Sequence, residues 1–304
     1  MVFEISGIST NPVAPVAWGV LVGLVFSLVG AAGGILSSVG LISVFSIKDV
    51  NLVKPMAQTL TLVSPLVSVP AYWKQCRVVL TLAFLLGAGG VIGALIGSSL
   101  SFSYLNELTL FKPLFGVLVL VIAAQLTWRL LHARSAKTDS TERAASTFVS
   151  FINQGHPPCE HGVKPLSFSL RRVEFEFGDE RFRYNPLFPF LVGAGIAIVS
   201  SAFGVGGGFL LVPFMSMLMR LPMAVIAGTS ALAILIHSLT SIANYMRLGV
   251  SLDYMLLLLL LGGTVLGSWL GPLISRSFKE AWFKTLLALI LVLIGLRYTG
   301  ILAI

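Results

Sequence analysis

Residues 186–219 read PLFPFLVGAGIAIVSSAFGVGGGFLLVPFMSMLM, an uncharged apolar run broken by Gly204-Val205-Gly206-Gly207-Gly208 and then by Pro213. The run is too long for one upright bilayer crossing, which takes about 20 apolar residues. Glycine is a poor helix former, so the cluster predicts a break inside an otherwise helical segment. Unwound backbone in lipid leaves amides unsatisfied and persists only where protein or a polar cavity covers it. Residues 13–47 repeat the pattern: no charge, excess length, and an interior Gly30-Ala31-Ala32-Gly33-Gly34.

Working outward, residues 55–73, 78–104 and 110–131 read as three ordinary spans after the first broken segment, and 222–246, 254–275 and 282–301 as three after the second. Hydrophobic residues make up 56% of the 304-residue chain and charged ones 11%, against about 25% charged in a globular chain. The expected fold class is therefore all-α: a polytopic integral membrane protein with a repeat at 1–131, a polar central loop at 132–185 and a second repeat at 186–304. The net charge of +8 gathers at segment ends and in the polar loop, where Lys and Arg meet lipid headgroups. The lipid bilayer is the implied partner and nucleic acid is not. A homo-oligomer is compatible with the sequence. Cys76 and Cys159 lie far apart and predict neither a disulfide framework nor a zinc site. Glu4, with no basic residue before it, argues against a cleaved signal peptide.

The halves align. A shift of 174 carries Gly19, Ser27, Gly30, Gly33 and Gly34 onto Gly193, Ser201, Gly204, Gly207 and Gly208, and Gly89, Gly93 and Gly97 onto Gly263, Gly267 and Gly271. A shift of 173 pairs Tyr72 with Tyr245 and Lys74 with Arg247. If each broken segment crosses once the repeats are parallel; if each enters and returns they are inverted. With the polar loop inside, the inverted arrangement brings Arg220, Arg276, Lys279 and Lys284 inward and leaves Lys48, Lys54, Lys112, Arg247 and Arg297 outside. The positive-inside rule favours this second arrangement, with a cytoplasmic loop and both termini opposite it. Within the loop, alternation at 167–170, 174–177 and 181–184 around Gly178-Asp179 predicts a β-hairpin. Residues 135–146 read as polar and mobile.

Two half-helices meeting at a glycine break can aim N-terminal amides at a bound anion. Gly33, Gly34, Gly206, Gly207 and Gly208 are therefore candidate substrate-binding residues. Gly89, Gly93 and Gly97, four apart, fit close helix packing better. No Asp or Glu lies inside a span, which leaves the interior hospitable to negative charge. His237 is the only in-span histidine, and an ionisable side chain at that depth defaults to a functional role. Gln58 and Thr59 on the second segment, and Thr229, Ser230 and Asn244 on its counterpart, can donate to an anion or join helices. Ser238 and Ser241 have the same capability. His156, Cys159 and His161 match no strong metal spacing. No phosphate-binding lysine loop, HExxH or paired intramembrane carboxylates occur, so neither an enzyme nor a cofactor is expected.

The order Gly193, Gly204, Gly206-Gly207-Gly208, Pro213, then Ala227-Gly228-Thr229-Ser230 and Asn244-Tyr245, resembles the sulfite-exporter family of the TauE/SafE type, over nearly the whole chain. In the first half Ala31-Ala32 replaces part of the glycine run and Gln58-Thr59 stands for Gly-Thr. The resemblance implies nucleotide-independent transport of sulfite, sulfoacetate or another sulfur oxyanion across the cell (inner) membrane. The expected function is a secondary transporter of small sulfur-containing anions, exporting by alternating access between the repeats. A passive anion channel or a membrane subunit of a larger assembly are the competing readings.

Overall fold

A computed structural model describes residues 2–29, 33–131, 139–169, 171–275 and 280–301. A two-stranded ribbon, β1 (Val2–Phe3) with β2 (Ile8–Ser9), precedes helix α1 (Val13–Val29). The Gly30-Ala31-Ala32 part of the expected first break lies outside the described residues. Helix α2 (Gly33–Val39) continues as a π-helical turn to Val44, and α3 (Val50–Lys74), α4 (Leu80–Tyr104) and α5 (Leu108–Leu131) follow. After the central segment the order recurs: α7 (Leu187–Phe203), a break, α8 (Gly208–Pro213) with a π-helical turn to Leu218, then α9 (Met223–Arg247), α10 (Tyr254–Ser275) and α11 (Glu280–Tyr298). Helices α3, α4, α5 and α9 are long and apolar enough to cross a membrane, and several shorter apolar helices accompany them. The chain is a multi-pass membrane protein, mostly helical as expected.

Local chemistry sets the boundaries. The Asp49 carboxylate caps α3 by accepting from the amides of Asn51 and Leu52, which supplies donors otherwise orphaned at a helix start. Because α3 begins at Val50, Lys54 is not among the headgroup charges. It is fully buried, and its ammonium donates to Asn51 Oδ1 and to the carbonyls of Ser101 and Leu105 at 2.7–3.1 Å. Lys54 therefore drops out of the basic-residue count as a snorkelling charge.

The glycines at four-residue spacing build backbone-to-backbone contacts. Added Cβ atoms on Gly89, Gly93 and Gly97 would lie 1.9–2.4 Å from the carbonyl oxygens of Phe190, Ala194 and Ile198, so α4 and α7 run parallel in direct contact. Gly19, Gly23, Gly263 and Gly267 do the same for α1 against α10. These are the two most extensive helix pairings, and each joins a helix from before the central segment to one from after it. The start of α9 meets the end of α3, with Gly228 against Tyr72, so these two are antiparallel; α5 and α11 meet around Gly116 and Gly295.

The second broken segment returns to the face it left. Helix α7 starts directly after the central segment, and the Arg220 carbonyl accepts from Thr141 in that same segment. Leu221 shares an apolar cluster with Phe148, Phe175 and Phe177 there. The first broken segment ends with Phe45 and Ile47 in a cluster with Phe3 and Leu252, while the Ser43 hydroxyl bonds the Tyr298 phenol. Asp253, buried before α10, accepts from the amide and hydroxyl of Ser6.

The central segment carries more structure than the sequence predicts. The expected hairpin is β4 (Val173–Phe177) with β5 (Glu180–Tyr184), turning at Gly178 and Asp179, both at positive φ as a type I′ turn requires. A third strand, β3 (Lys164–Phe168), pairs with β4. The stretch read as mobile is helical from its fifth residue on: α6 (Asp139–Asn153) buries Ala144 and Phe148 against Phe175 and Phe177. The periodicity was masked by Ser and Thr on the exposed face. The cysteine reading also needs correction, because Cys76 and Cys159 form a disulfide. It ties the α3–α4 turn to the central segment, and sequence separation hid it because the intervening helices fold back. Burial pushes the Tyr184 phenol up to about 12, so it stays protonated beside the Thr81 hydroxyl, 3.1 Å away on the first turn of α4.

Candidate functional site at the second helix break

Helix α7 ends where Gly204 takes a left-handed φ of 72°, and Gly206 and Gly207 follow at 79° and 47°. Side chains rarely adopt such conformations, so glycine is required at this turn. The last carbonyls of a helix lack intrahelical donors, a serious cost in a membrane interior. Here neighbouring helices supply donors to the Ser201 and Ala202 carbonyls and add one to the Ser200 carbonyl, which also accepts from the Gly204 and Val205 amides. Gln58 Nε2 on α3 donates to Ser200 O (3.3 Å), Tyr245 Oη on α9 to Ser201 O (3.0 Å), and Ser101 Oγ on α4 to Ala202 O (2.6 Å). Tyr245→Phe keeps the shape and removes one donor, so a thermal melt in detergent should report a loss of about 1–3 kcal/mol; an unchanged melt would deny the capping role.

The turn itself faces polar side chains. A Cβ on Gly207 would stand 2.7 Å from His237 Nε2 and 3.5 Å from Ser200 Oγ, and one on Gly206 2.8 Å from Thr61 Oγ1. A Cβ on Gly34 would stand 2.1 Å from the Val205 carbonyl and 2.9 Å from Thr61 Cγ2, so the start of α2 reaches the same turn. Around it, Gln58 Oε1, Ser200 Oγ, Ser201 Oγ, both ring nitrogens of His237, Ser238 Oγ and Ser241 Oγ are buried without a hydrogen-bond partner among the described residues. Buried polar atoms are ordinarily paired, and each unpaired one costs roughly 1–3 kcal/mol. Seven such atoms lie on α3, α7 and α9 beside one helix break.

Of the sequence-derived candidates, Gly34, Gln58, Gly206, Gly207 and His237 come together here, and Gly208 opens α8 beside them. Others stand apart. Gly33 packs on the Phe26 ring, and Thr59 bonds the Pro55 carbonyl within its own helix. Thr229 accepts from the Val79 amide, 3.1 Å away at the head of α4. Ser230 bonds back to Ala227, and Asn244 ties α9 to Ser98 and Ser99 of α4. Ser200 escaped the sequence reading, although two adjacent serines a few residues before a glycine break were a usable signal. Among the described residues no cluster of metal-ligating side chains occurs.

A multi-pass helical protein with a broken helix whose polar centre is buried among its spans belongs to the class of membrane transport proteins. The model of the family described as sulfite exporter TauE/SafE matches residues 16–298, and the chain belongs to that family, one of transporters rather than enzymes. A curated relative, the probable membrane transporter protein YunE of Bacillus subtilis (strain 168), is 28% identical over 300 residues, covering 94% of this chain and 97% of the relative. No solved structure matches.

Proposed function

We propose that the chain is a secondary carrier of a small sulfur-containing anion (sulfite, sulfoacetate or another organosulfonate), which it exports across the cell (inner) membrane. The observation that carries this is the set of orphaned polar atoms around Gly206-Gly207. Serine hydroxyls and an imidazole N–H donate to oxyanions, and the one buried carboxylate among the described residues, Asp253, is engaged with Ser6 elsewhere. Binding to purified protein across sulfite, thiosulfate, sulfoacetate, taurine and sulfate tests the substrate class. Saturable flux with counterflow in liposomes supports a carrier, and ohmic current would favour a channel.

His237→Gln should keep the fold and weaken anion binding about tenfold, near 1.4 kcal/mol for one lost contact. Calorimetry with the best-bound anion reads this directly, and unchanged affinity would return His237 to a packing role.

The two halves are read as inverted repeats. The antiparallel course of α3 and α9 and the return of each broken segment support this. Alternating access then cannot be a rocking of the sequence halves, because α1 is held to α10 and α7 to α4 by backbone contact; each moving unit draws helices from both.

Orientation is read from the disulfide. Such bonds persist in oxidising compartments, which supports an orientation with the face carrying Cys76, Cys159 and the central segment outside, against the basic-residue count. Impermeant maleimide on intact cells should label Ser150→Cys and spare Ser9→Cys; the reverse pattern would put the central segment in the cytoplasm.

A further inference from the structure

The register of the central sheet leaves part of its apolar face uncovered. Pro165 pairs with Phe175 and Phe168 with Val173. These two β3 residues therefore lie on the face whose β4 members, Val173 and Phe175, are buried. Yet β3 is exposed along its length, with Phe168 62% and Leu166 44% accessible. Between the strand and Thr81 lies a groove of about 120 Å³ lined also by Pro165, Leu166, Ser167, Phe168, Val173 and Glu174.

Where the groove opens decides what covers it. The Tyr184–Thr81 hydrogen bond fixes the sheet on the first turn of α4. One turn further, Phe84 begins an outward stripe continued by Ile92, Leu95 and Ile96, all at least 40% exposed. In a bilayer that stripe faces acyl chains, so the groove sits at its head, at the level of the headgroups. Arg171, in the turn three residues beyond Phe168, is exposed and has no ion-pair partner among the described residues, whereas Arg172 is held by Glu174 at 2.6 Å. An apolar shelf at Leu166 and Phe168, followed three residues on in the chain by an exposed guanidinium, matches an acyl chain below a phosphate.

We propose that this groove seats an anionic phospholipid of the surrounding leaflet, its acyl chain along Leu166, Phe168 and Phe84 and its phosphate at Arg171. The bound lipid would anchor the central segment on the bilayer, independently of the solute site.

The two native cysteines are joined, so a nitroxide can be placed at Phe168→Cys, Leu166→Cys or, on exposed α6, Val149→Cys. In nanodiscs of phosphatidylcholine and phosphatidylglycerol, labels at 168 and 166 should collide with oxygen several-fold more, relative to a nickel chelate, than the label at 149. Arg171→Glu, or omission of phosphatidylglycerol, should lower that preference. Equal accessibility at all three positions overturns the proposal. So does dipolar broadening between labels on two copies, which would make the groove a dimer contact, and so does indifference to both Arg171→Glu and lipid charge.

Discussion

Gly207→Leu is expected to abolish transport while the protein still inserts. A Cβ at this position already lies within 2.7 Å of His237 Nε2, at a φ of 47° that leucine adopts only under strain. The remaining side-chain atoms would fill the space between α3, α7 and α9 where the orphaned polar atoms converge. Gly195→Ala is the control on the preceding helix α7, since its Cβ would meet nothing within 4 Å; it should transport normally and gain roughly 0.5–1 kcal/mol of stability. Well-inserted Gly207→Leu with normal flux would remove the proposed site.

Gly93→Leu should fail earlier, at folding. Its Cβ would stand 2.1 Å from the Ala194 carbonyl oxygen and 2.9 Å from the Ala194 Cα. These are backbone atoms of a facing helix and cannot swing aside, so α4 and α7 would have to separate along their length. Overpacking of this kind costs typically 1–3 kcal/mol or more in a soluble core, and here it strikes the most extensive pairing in the molecule. Little monodisperse protein should survive size-exclusion chromatography in mild detergent. A folded, active Gly93→Leu would mean that α4 and α7 part during the transport cycle. The contrast between the two leucine variants, one silent in folding and one lethal to it, separates a glycine that leaves room for a guest from a glycine that lets two backbones touch.

Much of the membrane architecture was legible in the chain. Long uncharged runs define spans because lipid offers no partner for charge or free amides, and a glycine cluster inside such a run must be a break. The packing role of Gly89, Gly93 and Gly97 followed from their four-residue spacing, which puts all three on one face of α4. The site was only half legible. Gly206, Gly207, Gln58 and His237 could be nominated by type, yet nothing local separates Thr229, a cap on the α4 amide of Val79, from Ser241, whose hydroxyl is orphaned near the break.

Hydropathy and backbone hydrogen bonding act residue by residue, and they made a polytopic helical membrane protein with a glycine break after α7 readable from the chain alone. What meets what was settled by long-range packing. It paired α1 with α10 and α7 with α4, brought the Lys54 ammonium to the carbonyls of Ser101 and Leu105, closed Cys76 on Cys159, and made α6 and β3 into a folded cap. Each of these depends on contacts between residues distant along the chain, and a one-dimensional pattern carries no term for them.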